Sequence, residues 1–281
     1  MKIIKKSTFE DHDIPVSYVS EQFSQIPETL KAFCFDRGNI DLFPDPLHGR
    51  GKKLGYYLMD AASVLPVIAL NIQQTDNVLD MCSAPGGKML TMLQYHHSGN
   101  LVCNDASKSR LQRLSHILDS YGNQTIKDKV EIQNLSGMDF TQPVFDKVLV
   151  DAPCTNDRHS LLEDDNNMFK PGRLNERLEI PNLQKNLLVS AIMSCKPGGE
   201  VVYSTCSLSP AQNDGVIQAA MEHIWKETKI DVCVVDLEYF PKTFRKIFNF
   251  YPKCRFGHLV LPNLTANFGP MYFCKLKILI T

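Results

Sequence analysis

Two apolar runs that each stop at a cysteine set the tightest limit on what this chain can fold into. Lys147-Val148-Leu149-Val150-Asp151-Ala152-Pro153-Cys154 passes from apolar residues to an acid, a proline and a thiol, and Gly199-Glu200-Val201-Val202-Tyr203-Ser204-Thr205-Cys206 repeats the pattern later. Short continuous apolar runs bounded by Pro or Gly are the mark of strands buried on both faces of a parallel sheet. In open α/β sheets, ligands bind beyond the carboxyl ends of the strands. If the two strands are neighbours, two thiols and one carboxylate meet in one crevice.

The surrounding sequence predicts the helices that would cover such a sheet. Strands are predicted at 77–81, 101–104, 129–133 and 147–150, with helices at 88–95, 108–121 and around 183–195. A turn at Lys196-Pro197-Gly198-Gly199 then leads into the strand ending at Thr205. Such alternation makes βαβ units and hence a doubly wound, mostly parallel α/β sheet. Runs at 232–237, 258–261 and 271–280 have no long helix before the last, which predicts an antiparallel terminal strand. Residues 56–70 show helical spacing, with Pro66 expected to break or kink the helix. Residues 1–50, punctuated by Phe43-Pro44-Asp45-Pro46 and Gly49-Arg50-Gly51, read as a small extension packed on a main domain of residues 51–281.

A length of 281 residues with 43% hydrophobic content suits one large domain plus that appendage. No apolar run approaches the roughly 20 residues needed to span a bilayer, so a soluble protein without membrane contact is expected. A formal charge of -1 is unusual for a protein that grips long nucleic acid alone, so any polynucleotide role borrows charge from a partner or a local patch. Nine cysteines without paired short spacings argue against a disulfide framework or structural zinc and for a reducing compartment. The basic start, Met1 to Lys6, turns acidic at Glu10, Asp11 and Asp13, unlike an Arg-rich transit peptide.

Between the first strand and its helix lies Asp80-Met81-Cys82-Ser83-Ala84-Pro85-Gly86-Gly87-Lys88. Small residues there let the backbone approach a ligand, and a helix amino end favours a carboxylate or phosphate. The stretch matches neither the dinucleotide fingerprint nor a phosphate loop. Asp105, 17 residues beyond Lys88, ends the second strand, where an acid can accept both hydroxyls of a ribose. A nucleoside bearing an amino-acid carboxylate satisfies both ends, and S-adenosyl-L-methionine is one. Asp80 is assigned to orienting the loop or to touching that ligand. The plainer reading makes Gly86-Gly87 a turn and Asp105 a helix cap.

The loop 80–88, Asp151-Ala152-Pro153-Cys154 and Ser204-Thr205-Cys206-Ser207 together resemble, in order and spacing, the Sun-type RNA (cytosine-5) methyltransferases. The resemblance runs from about Phe35 to the end of the chain. It is greatest to the family's mitochondrial ribosomal-RNA branch, through Asp157-Arg158-His159-Ser160-Leu161, Asn166-Asn167-Met168-Phe169-Lys170 and the stretch 262–272. It implies a Rossmann-like methyltransferase sheet and S-adenosylmethionine held by Cys82, Ser83, Ala84, Pro85, Gly86, Gly87, Lys88, Asp105, Arg110 and Asp151. The family's further acid after the third strand aligns with Ser136, and the nearest carboxylate is Asp139, which takes its place among the candidates.

Carbon 5 of cytosine is a poor nucleophile until another nucleophile adds at carbon 6, a task suited to a thiolate. By resemblance Cys206 attacks, Cys154 serves product release, and Asp151 hydrogen-bonds the cytosine edge. Cys206 then needs a nearby positive charge or a helix dipole to lower its pKa, and the sequence does not identify the charge. Cys34, Cys103, Cys195, Cys233, Cys254 and Cys274 are assigned to packing, since free cysteine is usually buried. The long loop 155–181 carries Arg158, His159, Lys170, Arg173 and Arg177 among Glu163, Asp164 and Asp165, fit to cover RNA, to meet a partner or simply to be solvated. His159 caps a turn or acts as a base, His96 and His97 sit at a helix end, and Tyr56 and Tyr57 stack on a base or pack in a helix.

The resemblance further implies ribosomal RNA as substrate, a mitochondrial setting in ribosome assembly, and a termination-factor-like helical-repeat protein as partner. Transfer RNA is a second substrate class for the same chemistry. A rival from another class is a non-catalytic assembly scaffold that retains the fold and cofactor pocket.

Overall fold

A computed structural model describes residues 3–4, 16–21, 26–36, 39, 41–95, 99–162, 167–263 and 268–279. The acids Glu10, Asp11, Asp13, Glu163, Asp164 and Asp165, together with Asn166, His96 and His97, lie outside these residues.

The strands are β1 (Ile3–Ile4), β2 (Tyr18–Ser20), β3 (Val78–Asp80), β4 (Leu101–Asn104), β5 (Val130–Gln133), β6 (Phe145–Asp151), β7 (Cys195–Thr205), β8 (Val232–Asp236), β9 (Phe250–Tyr251), β10 (His258–Val260) and β11 (Met271–Ile278). They form one sheet ordered β1-β2-β8-β11-β7-β6-β3-β4-β5, with β10 beside β11 and β9 beside β10. From β3 the chain steps outward to β4 and β5, then returns to lay β6 and β7 on the other side. The order therefore reverses between β3 and β6, the position at which open α/β sheets bind ligands. β3 and β4, and Val148, Leu149 and Val150 of β6, are buried throughout, as unbroken apolar runs require in a sheet covered on both faces. The predicted antiparallel terminal strand is β11, inserted between β7 and β8.

The helices are α1 (Val64–Leu70), α2 (Gly87–Met92), α3 (Lys108–Tyr121), α4 (Gln124–Lys127), α5 (Asp157–Leu162), α6 (Leu174–Ser194), α7 (Asp214–Glu227) and α8 (Tyr239–Phe244). α3 starts where Ser107 accepts a hydrogen bond from Arg110 N, and it buries Leu111, Leu114 and Leu118 on one face. None of the helices among the described residues is long and apolar enough to cross a membrane.

Several expectations are corrected. The helix expected over 56–70 is shorter, because α1 begins at Val64 after a 3-10 turn; Pro66 falls in its first turn, where no intrahelical N–H bond is lost. Tyr56 and Tyr57 therefore belong to the segment before the helix. The long loop 155–181 is mostly helical, comprising α5, a 3-10 turn at Pro171–Arg173 and the first turns of α6, which accommodates Pro181. The turn at 196–199 is an irregularity inside β7, which already pairs with Phe145 at Cys195 and shifts register before Glu200 meets Lys147. α7 has no counterpart among the predicted elements, although Val216, Ile217, Ala220, Met221 and Ile224, all buried, carry helical spacing.

The extension contributes β2, which pairs in parallel with β8, and Glu21 just after it reaches into the sheet to Lys275 at 2.9 Å. Of the cysteines assigned to packing, Cys103, Cys195, Cys233 and Cys274 are buried; Cys254 is only half-buried and Cys34 is exposed on the segment before α1.

Candidate active site

The site sits at the carboxyl ends of β3, β4, β6 and β7. Asn104, the last residue of β4, fixes two adjoining segments with three hydrogen bonds, its Nδ2 donating to the carbonyls of Met81 (3.0 Å) and Leu135 (3.1 Å) and its Oδ1 accepting from Leu135 N at 2.9 Å. Ser83 N donates to Asn104 O at 2.7 Å, so the loop after β3 is held by backbone and side chain together. Gly86 turns the chain at φ +117°, a conformation side chains rarely adopt. At Gly87 an added Cβ would come within 3.0 Å of the Tyr57 ring.

This loop and the segment before α1 enclose a cleft of about 230 Å³, lined among others by Tyr57, Met59, Asp80, Cys82, Ser83, Ala84, Pro85, Gly87, Lys88, Asp151, Cys206 and Met271. Asp80 is fully buried, and among the described residues neither its carboxylate oxygens nor the buried Ser83 hydroxyl has a partner at full hydrogen-bond geometry, although Ser83 is close enough to favour the Asp80 carboxylate. Burial pushes the Asp80 carboxyl up to about 7, with Asp151 adding like-charge repulsion. Asp105, also buried, accepts from Ser107 N at 2.9 Å and pairs with Arg110 at 3.0 Å, while Arg110 also donates to Ala84 O. The candidate loop and the candidate ribose acid are thus joined through one guanidinium. Unpartnered acceptors within a small polar and apolar cleft fit S-adenosylmethionine, which carries an ammonium, hydroxyls and apolar carbons. Ser136 caps the 3-10 turn Gly137–Asp139 by accepting from Met138 N, and Asp139 is exposed at its end.

β6 and β7 are parallel neighbours, with Asp151 opposite Ser204. Three residues beyond Asp151, Cys154 Sγ lies 3.2 Å from Cys206 Sγ. The shared hydrogen bond sets their titration: it lowers Cys154 below the ordinary thiol value, and, with burial, it raises Cys206 well above it. Lys88 opposes the second shift, so the cation that sequence alone left unidentified comes from the cofactor loop. Burial works against the charge on Lys88, but the Asp151 carboxylate 2.7 Å away holds its pKa above the usual lysine value. Ser204 donates to the other Asp151 oxygen at 2.8 Å. Asp151 lines the cleft, and each of its oxygens keeps a second lone pair for a further donor.

A polar network that sequence reasoning missed locks the two strand ends together. Asp157 accepts from Leu208 N at 2.7 Å and from the hydroxyls of Thr155 and Ser207. Gln212 accepts from Thr155 N and donates to Thr155 Oγ1, and Gln184 donates to Pro153 O. Thr205 donates to Asn213 at 2.6 Å, which in turn donates to Ser207 O. Every residue here is an ordinary polar type, and only the fold brings them together. Arg158 pairs with Asp60 at 2.9 Å, tying α5 to the segment before α1, whereas His159 is exposed.

Residues 67–256 match the family model described as 16S rRNA methyltransferase RsmB/F. The chain is 48% identical over 252 residues to the 5-cytosine rRNA methyltransferase NSUN4 of Bos taurus, covering 88% of this chain and 66% of that protein, just under two thirds of its length. It is 38% identical over 257 residues to the mitochondrial tRNA (cytosine(34)-C(5))-methyltransferase of Mus musculus, covering 89% of this chain and 71% of that one. Among solved structures it resembles NSun6 from Pyrococcus horikoshii in fold, at a TM-score of 0.53 and 22% identity, over 80% of this chain and 53% of that chain. The two signature cysteines, the loop before Lys88 and these matches carry one conclusion: the chain belongs to the RsmB/F family of RNA methyltransferases.

Proposed function

We propose that the protein transfers a methyl group from S-adenosylmethionine to carbon 5 of a cytosine in RNA through a covalent adduct on Cys206. The observation that carries this reading is the 3.2 Å approach of Cys154 Sγ to Cys206 Sγ, with Cys206 lining the same cleft as Lys88 and Asp151. When bound, S-adenosylmethionine supplies an electrophilic methyl on a sulfonium. Asp80 would hold its ammonium, Asp105 its ribose hydroxyls, and the loop Cys82 to Lys88 would bind the rest of it.

Cys206, as thiolate, adds to carbon 6 of the base and makes carbon 5 nucleophilic. Asp151, oriented by Lys88 and Ser204, hydrogen-bonds the cytosine edge where charge develops during attack. After methyl transfer a base, water or a side chain, takes the carbon 5 proton, the freed electron pair restores the carbon 5–carbon 6 double bond, Cys206 leaves as thiolate, and Cys154 beside it assists release by supplying a proton to that sulfur. The base must be unpaired or flipped out to reach Cys206, at a cost of a few kcal/mol.

Ribosomal RNA is the substrate class favoured by the 48% identity to the bovine rRNA enzyme, against 38% to the murine tRNA enzyme. A mitochondrial setting, a link to ribosome assembly and a helical-repeat partner extend the same reading. The test is methyl incorporation into ribosomal and transfer RNA by wild type and Cys206→Ala. Labelling of ribosomal RNA by wild type alone is expected. Equal labelling by both would remove Cys206 as nucleophile, and no labelling by either would favour a scaffold.

A further inference from the structure

Asn156, two residues after Cys154, brackets both thiols. Its Oδ1 lies 3.2 Å from Cys206 Sγ, and its backbone N–H donates to Cys154 Sγ. Its backbone is left-handed at φ +47°, and its carbonyl accepts from Ser160 N at 2.8 Å at the start of α5. A left-handed backbone is open to Asn, Asp and Gly at little cost. The turn that places Cys154 thus also sets the backbone from which the exposed Asn156 side chain reaches Cys206.

The other ionisable groups that face Cys206 are Cys154 from the loop after β6, Asp151 at the end of β6 and Lys88 from α2. Only Lys88 favours the thiolate. Cys206 Sγ is within hydrogen-bond reach of both Cys154 Sγ and Asn156 Oδ1, and its one proton goes to the Asn156 carbonyl when Cys154 supplies the proton of the sulfur–sulfur contact. Once the proton has passed to water, the sulfur becomes an acceptor and a facing carbonyl repels it. A half-turn of the amide replaces Oδ1 with Nδ2, which donates.

We propose that Asn156 is a positioning residue for the nucleophile, serving Cys206 in both protonation states by exchanging its amide oxygen for its amide nitrogen. The inference rests on the methyltransferase reading for its purpose, but its geometry does not. An aspartate at 156 keeps the shape and the acceptor and loses the donor; a glycine keeps the backbone conformation and loses both.

The test compares wild type, Asn156→Asp and Asn156→Gly by the pH dependence of iodoacetamide labelling at Cys206, read on the Cys206 peptide by mass spectrometry. Circular dichroism and S-adenosylmethionine affinity control for folding. In Asn156→Asp the labelling midpoint is expected to rise by about one pH unit or more, because an added like charge disfavours the thiolate. Single-turnover methylation should fall about tenfold with the RNA KM unchanged, and Asn156→Gly should fall between the two. Unshifted midpoints in both folded variants would overturn the role of Asn156. Absence of methyl transfer by wild type would overturn the enzymatic reading instead, while the labelling midpoints would still decide the role of Asn156.

Discussion

Lys88 Nζ lies 2.7 Å from Asp151 Oδ2, so the residue that enters α2 from the cofactor loop is tied to the acid that ends β6. The loop proposed to hold the methyl donor and the acid proposed to face cytosine are therefore joined by one partly buried ion pair. The same ammonium also favours ionisation of Cys206. Lys88→Met should lower single-turnover methylation by about 10–100-fold, the loss of one charge-assisted contact of roughly 1.5–3 kcal/mol. It should also shift Cys206 alkylation to higher pH. A variant with a wild-type alkylation profile would separate Lys88 from the nucleophile.

Cys154 and Cys206 share one hydrogen bond but are assigned opposite ends of the reaction. Cys206→Ala should form no covalent complex with RNA, whereas Cys154→Ala should form one and release it slowly. Denaturing gels of enzyme incubated with cofactor and RNA read this directly. A stable complex in Cys206→Ala, or none in Cys154→Ala, would reverse or erase the assignment.

Asp105 is buried and already paired with Arg110 at 3.0 Å, so its carboxylate is oriented before any ligand arrives. Removing a buried acceptor from ligand hydroxyls costs about 1.5–3 kcal/mol, or roughly 10–100-fold in affinity. Asp105→Ala should weaken S-adenosylmethionine by that factor in calorimetry. Asp139→Ala, at an exposed position, should change it by less than about twofold, a difference of no more than ~0.5 kcal/mol.

Much of this was legible because strong local signals coincided with the fold. β4 and α3 stand at the predicted positions, since an unbroken apolar run and a capped, periodic helix need little tertiary help. The meeting of Cys154 and Cys206 followed from reading two buried runs as neighbours. Lys88 facing Cys206, and Asp157 and Gln212 joining the strand ends, are not legible in the sequence, because each contact spans residues far apart along the chain. α7 had a readable pattern that the strand-like runs after it obscured. Asp139 was proposed by position in sequence, and the 3-10 turn that Ser136 caps leaves it exposed.

Glu200 lies at the centre of a buried charge network that joins β7, β6, β11 and the extension. It bonds Lys147 and lies 2.8 Å from Lys275, which is fully buried and also 2.9 Å from both oxygens of Glu21. Burial alone would raise the Glu200 carboxyl, yet Lys275 and Lys147 together hold it down to about 2. A carboxylate with a depressed folded pKa contributes stability above its unfolded value of roughly 4.3 and loses it as pH falls through the folded value. The contribution, on the order of 3 kcal/mol, should be complete at neutral pH and fade between about pH 4.5 and 2. Glu200→Gln should therefore be less stable than wild type at pH 7 by about 3–5 kcal/mol, since it leaves buried lysines without their shared partner. In urea unfolding the gap between the two proteins should narrow as pH falls below about 4.5. A gap that stays constant down to pH ~2.5 would mean that Glu200 acts through packing and not through its charge.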